Sequence, residues 1–159
     1  MSCGRASSMI VLAGGDWEIT MRIAIGSDHR GVELRAKIRA FIEKLGEEVV
    51  DLGAFGQEPV DYPDIAVAVA RKVAAGEVDR GILICGTGIG MCITANKIPG
   101  VRAAPCHDDI TAELSRRHND LNVLCLSGDL IGERLADRLV EKWLKTPFDG
   151  GRHARRNEK

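Results

Sequence analysis

Residues 82–97, ILICGTGIGMCITANK, hold the side chains most able to do chemistry: an apolar run ends on Cys85, and Gly86, Gly88 and Gly90 follow alternately with Thr87 and Ile89 between them. Alternate glycines let a backbone approach a ligand closely and turn several N–H groups inward, at the positive end of the helix that follows. The pattern predicts an anion cradle. A triphosphate loop would need a Lys-Ser or Lys-Thr pair, yet the next lysine is Lys97, and a dinucleotide turn would need glycine where Met91 stands. A cysteine at the mouth of such a loop is favoured as thiolate, a usable base or nucleophile, and the Thr87 hydroxyl can donate to a developing oxyanion. Together they suit chemistry that creates an enolate. The plainer alternative is that the glycines only make a tight strand-to-helix turn.

Three further clusters carry polar chemistry. SDHRG, residues 27–31, puts Asp28 and His29 in a turn before a helix; capping explains Asp28 alone, whereas His29 at a strand end can hydrogen-bond a phosphate or a sugar hydroxyl. SRRHND, residues 115–120, places His118 and Asn119 at a helix end, either as a cap that answers the dipole or as a proton shuttle with an oxyanion partner. In the tail, Arg152 and Arg156 are four apart, so on a helix they share a face and can clamp one phosphate; a solvated basic end is the alternative.

Elements that would position these groups follow from the hydrophobic period. From Met21 onward, short continuous apolar runs alternate with helical stripes, the signature of buried parallel strands and their crossover helices. Strands are expected over residues 22–27, 49–52, 81–85, 101–104 and 123–126, the fourth being the weakest. Helical stripes comprise Leu34, Ile38, Phe41, Ile42 and Leu45; then Ile65, Val69 and Val73; then residues from about 88–90, residues 109–118, and Ile131, Leu135, Leu139, Val140 and Trp143 before Pro147. The implied fold is α/β: a Rossmann-like three-layer sandwich with a five-stranded parallel sheet and helices on both faces. Ligands in such sheets bind beyond the strands' carboxyl ends, which would gather Asp28, His29, the glycine loop and the segment near His118 into one crevice.

The chain has 159 residues, enough for one domain, with 22 basic and 23 acidic side chains for a net charge of -1. That balance argues against a protein that coats nucleic acid or lies on a membrane, and favours small-molecule chemistry. Five cysteines without zinc spacing or a secretion signal read as reduced, cytoplasmic thiols, with Cys92, Cys106 and Cys125 expected to be buried and structural. Residues 1–20 are expected to be an extension, either a poorly ordered leader or a start-site artefact, ahead of a single domain over 21–159 whose basic tail leaves the domain body from about 147.

From Met21 to the tail, the motifs GSDHRG, DYPD, GILICGTGIGMCITANK, SRRHNDLNVL and FDGGRHARR resemble, in order and spacing, the type B ribose-5-phosphate isomerases. The resemblance implies cofactor-free and metal-free interconversion of ribose 5-phosphate and ribulose 5-phosphate through a cis-enediolate, in a homodimer, alone or paired into a tetramer, with active sites between subunits. Because the family includes isomerases of other aldose phosphates, allose 6-phosphate is an alternative substrate; a non-catalytic phosphosugar-binding module and a thiol redox sensor centred on Cys85 are rivals of other classes. By resemblance Cys85 is the base, His118 the acid that opens the furanose ring, and Thr87 the hydroxyl near the reacting oxygens; Gly86, Thr87, Gly88, Ile89 and Gly90 form the anion hole. Asp28, His29 and Asn119 are sugar or phosphate ligands, and Arg152 with Arg156 the phosphate clamp. Ile89 stands where some relatives use a glutamate base, which places this chain in the cysteine branch. Two residues depart from the family pattern: Asp129, in the loop after the fifth strand where relatives commonly carry an arginine, and Arg30, where a small or apolar residue is expected.

Overall fold

The computed structural model describes residues 9–11, 17–56 and 58–159. Five strands form one parallel sheet: β3 (Arg22–Ser27), β4 (Glu48–Asp51), β5 (Arg80–Cys85), β6 (Ala103–Pro105) and β7 (Val123–Ser127), in the order β4-β3-β5-β7-β6. The connections run outward from β3 to β4, then jump back past β3 to β5, so the direction of winding reverses between β3 and β5. A crevice therefore opens at the carboxyl ends of those two strands.

Helices cover both faces, as the alternating pattern predicts. On one face α1 (Val32–Lys44), α4 (Asp109–Asn119) and α5 (Glu133–Lys145) contribute Ile38, Ile42, Ala112, Leu139 and Trp143 to a core with Ile23, Ile25, Ile82 and Ile84. On the other, α2 (Tyr62–Ala74) and α3 (Ile89–Ala95) set Val69, Val73 and Met91 against Ala24, Leu83 and Val123. Successive residues of β5 thus point into opposite cores, which is why its run is apolar throughout. At the amino end of β5, Arg80 lies 5.1 Å over the buried Trp143 ring and donates to the carbonyls of Trp143 and Leu144 at 2.7 and 3.0 Å. Burial lowers the Arg80 pKa to about 10, and its contacts tie the end of α5 to the sheet.

Two expectations are corrected. Met9–Val11 (β1) and Trp17–Ile19 (β2) pair as an antiparallel ribbon, so part of the leading segment is regular structure rather than a loose extension; residues 1–8 and 12–16 lie outside the described residues. The tail does not leave the body. Arg152–Asn157 is a short helix, α6, that packs against α4, because the Asp149 amide donates to the Arg117 carbonyl at 3.0 Å and its carboxylate pairs with Arg117 at 3.2 Å.

Candidate active site

The glycine loop lies where β5 gives way to α3. Gly88 has φ 80°, a left-handed conformation that costs glycine nothing, and this turn brings its N–H to within 3.2 Å of Cys85 Sγ. Cys85 is 5% exposed, so that amide is a directed donor to a nearly buried sulfur. The Ile89 amide donates to Thr87 Oγ1 at 3.3 Å, while those of Thr87 and Gly90 meet no acceptor among the described residues. They stay available to an incoming anion. The Tyr62 ring, from the start of α2, covers Gly90 so closely that a Cβ there would lie 2.7 Å from the ring.

Asp28 and His29 complete this group from the end of β3. Asp28 is 5% exposed and accepts from the Arg30 amide at 2.9 Å, which shapes the turn; it is not the cap of α1, whose N-cap is Gly31 with no side-chain bond. His29 Nδ1 accepts from the Val60 amide at 3.4 Å, which leaves Nε2 to carry the proton of a neutral ring and donate outward. Buried Arg35 supports the turn from below, donating to Ser27 Oγ at 3.0 Å and to the Ala54 carbonyl and pairing with Asp51 at 3.2 Å. Arg35 and Tyr62 went unnoticed in the sequence because a helical arginine and the tyrosine of a DYPD loop carry no spacing signal of their own.

His118 and Asn119 are elsewhere, which corrects the expectation of a single crevice within one chain. α4 runs back along the sheet, and only Asp120, Leu121 and Asn122 separate it from Val123, the first residue of β7. Its last turn therefore lies at the strands' amino ends, confirmed by Arg102, which precedes β6 and donates to the carbonyls of Asn119 and Asp120 at 3.1 and 2.9 Å. Cys85 is level with Ser127, at the far end of β7 from Val123, and at about 3.3 Å per residue the two ends are roughly 13 Å apart.

α6 joins His118 at this amino end. The His118 and His153 rings stack with centroids 4.3 Å apart and planes 2° from parallel, and Arg152 Nε approaches His153 Nε2 at 3.4 Å. Desolvation, then the charges of His118, Arg152 and Arg156, holds the His153 pKa below the ordinary histidine value. Arg152 and Arg156 are exposed on the short helix. His118, Asp149 and His153 offer ligand atoms within 4.8 Å of one another, but Asp149 already serves Arg117 and two arginines stand beside the imidazoles. Those surroundings favour an anion over a cation.

The other cysteines divide differently from the expectation that all three are buried. Cys106 and Cys125 are buried, whereas Cys92 is half-buried on α3. A hydrogen bond with the Cys125 thiol, aided by Asn96, lowers the Cys92 pKa to about 7 against the opposing effect of burial. A surface hollow of about 590 Å³ between α4 and α5 is rimmed by Glu113, Arg138 and Lys142 and does not border the glycine loop.

Sheet order and helix placement are those of an α/β sugar-phosphate isomerase. Residues 23–159 match the Ribose/Galactose Isomerase family model, and the chain belongs to that family. It is 48% identical over 137 residues to ribose-5-phosphate isomerase B of Escherichia coli, covering 86% of this chain and 92% of that protein. The solved ribose-5-phosphate isomerase B of Clostridium thermocellum superposes with a TM-score of 0.86 at 52% identity, over 87% of this chain and 93% of that one. The enzyme of Mycoplasma genitalium, solved with bound ribulose-5-phosphate, superposes with a TM-score of 0.83 at 44% identity, over 86% and 91% of the two chains. Among the described residues, no helix is long and apolar enough to cross a membrane.

Proposed function

We propose that residues 21–159 form a single domain that interconverts ribose 5-phosphate and ribulose 5-phosphate without a metal or cofactor, and that its active site is assembled from two copies of the chain. The observation that carries the chemistry is the glycine loop, in which the Gly88 amide donates to Cys85 Sγ beside unengaged backbone amides. His118 gives a proton to the ring oxygen as the C1–O4 bond breaks, the anomeric hydroxyl releases its proton to water to leave the C1 aldehyde, and Asn119 holds a hydroxyl. The Cys85 thiolate takes the proton from C2 and returns it to C1, and the hydroxyl proton passes from O2 to O1. Between these steps the enediolate charge is held by the glycine loop, through the unengaged amides of Thr87 and Gly90 and the Thr87 hydroxyl. Asp28 and His29 orient the sugar, and Arg152 with Arg156 holds the phosphate.

The separation of the two clusters supports the dimer, because neither half alone contains base, acid and phosphate clamp. A two-fold pairing that sets the amino end of one copy against the carboxyl end of the other completes two equivalent sites. Exposed apolar side chains supply a surface for it: Ile89 and Ile93 on α3 are 53% and 57% exposed, and Ile110 and Leu114 on α4 are 69% and 37% exposed. The four unpaired cysteines among the described residues suit a reducing, cytoplasmic setting.

The test is a coupled assay of ribose 5-phosphate conversion in chelator-treated buffer, with allose 6-phosphate run beside it. Turnover of the pentose phosphate is the expected result. Turnover of the hexose phosphate alone would keep the mechanism and change the substrate, and silence on both would favour a binding module.

A further inference from the structure

The two residues that depart from the family pattern are each other's partners. Arg30 Nε and Nη2 both reach Asp129 Oδ2, at 2.9 and 2.6 Å, and this pair links the loop after β3 to the loop after β7. Since β5 lies between those strands, the pair passes over the end of β5. It rests against Gly86, where a Cβ would lie 2.9 Å from Asp129 Oδ2 and 3.1 Å from Arg30 Nε. Glycine at this position leaves the pair room to lie flat against the backbone.

Both ends of the pair are fixed by backbone contacts. The Arg30 amide donates to Asp28 at 2.9 Å, the Asp129 amide to the Gly86 carbonyl at 3.2 Å, and the Gly128 amide to the Cys85 carbonyl at 2.8 Å. The Arg30 and Asp129 side chains are 57% and 36% exposed, a setting in which an ion pair adds little stability. Its geometric effect is larger. One edge of the guanidinium is engaged by the carboxylate, so the plane is held while Nη1 keeps both N–H groups without an acceptor among the described residues. A planar fork held in this way matches two oxygens of a phosphate.

We propose that Arg30 is a phosphate ligand of the carboxyl-end cluster and that Asp129 is the residue that positions it. The phosphate is then gripped from both halves of the assembled site, by Arg30 of one copy and by Arg152 and Arg156 of the other. The inference rests on the sugar-phosphate reading given above, and inorganic phosphate separates the two because it reports the contact whether or not a sugar is turned over.

The experiment compares the full chain with Arg30→Ala, Arg30→Gln, Asp129→Ala and the Arg30→Ala/Asp129→Ala double variant. It measures kcat and KM for ribose 5-phosphate and, by calorimetry, Kd for inorganic phosphate. Arg30→Ala is expected to raise both KM and phosphate Kd by about 10-fold or more, the effect of losing a charge-assisted hydrogen bond, with kcat within about 3-fold. Asp129→Ala is expected to raise them by about 3-fold, and the double variant to be no worse than Arg30→Ala, because the two residues act as one unit. Arg30→Gln keeps the stem against Gly86, so it gives the same reading if the alanine variant fails to fold. An unchanged KM and phosphate Kd in a folded Arg30 variant would overturn the proposal, as would a loss confined to kcat. A wild-type chain that binds phosphate through Arg30 but turns over no sugar would leave this contact standing and sink the isomerase reading.

Discussion

At the carboxyl ends of the strands, reactive groups are nearly enclosed: Cys85 and Asp28 are each 5% exposed, and backbone amides hold the sulfur and shape the turn. At the amino ends, the last turn of α4 and the short α6 hold out His118, Asn119, Arg152 and Arg156, and no residue of α6 is buried. The first region is built before any partner arrives, since the sheet and the Gly88 turn fix it. The second carries positive groups on a helix too short to be stable alone, tied down by Asp149 and by a stack of two imidazoles. A base that takes a proton from carbon works best in a dry and constrained setting, whereas a phosphate clamp works from an exposed rim.

The strongest way to sharpen the comparison is to disable each end separately. Cys85→Ala is expected to lower kcat by about 10³-fold with KM little changed, and His118→Ala by about 10²-fold, each within the range for loss of a general base or acid. Mixing and refolding the two variants should then restore about a quarter of wild-type activity, because random pairing makes half the dimers mixed and each mixed dimer has one site with both residues intact. Failure to recover any activity while mixed dimers form would break the shared-site reading.

Removing the apolar surface is a milder test of the same idea. Ile93→Glu puts a charge on the exposed face of α3 and is expected to shift the chain toward monomer in sedimentation, with activity falling in proportion to the dimer lost. A monomer of full activity would mean that each chain completes its own site. Within the amino-end cluster, Arg152→Ala and Arg156→Ala should each raise KM by about 10-fold and flatten its salt dependence, leaving kcat nearly unchanged.

The smallest expected effect concerns pH. His153 is held below its ordinary pKa by desolvation and by neighbouring positive charge, so the folded chain binds fewer protons there than the unfolded one. The histidine contribution is therefore neutral to stability above the unfolded value of about 6.5 and becomes destabilising as pH falls through it. Neutralising Arg152 and Arg156 with glutamine should move the His153 titration upward, read from its ring protons by NMR. An unmoved midpoint would show that those charges do not act on it.

Much of this was written in the local sequence. The limits of β3 match the expected strand, and β5, β7, α1 and α5 fall within two residues of expectation because their apolar periods are long and uninterrupted, whereas α2 begins at Tyr62, three residues before its apolar stripe. Local signals likewise nominated Cys85, Gly88, Asp28 and His29, and the structure brings them together at the ends of β3 and β5. Arg35, Tyr62 and the Arg30–Asp129 pair were not visible, because each acts through a partner between 16 and 99 positions away.

What the sequence determined by itself is the alternation of strands and helices, the residue types of the loop, and hence the class of chemistry, because periodicity and backbone freedom are properties of neighbouring residues. Tertiary structure alone decided that His118 and Arg152 face the opposite end of the sheet from Cys85, and that the tail folds onto α4. Those facts follow from the return direction of a helix between parallel strands and from an ion pair closed across 32 residues, and neither leaves a trace in local spacing.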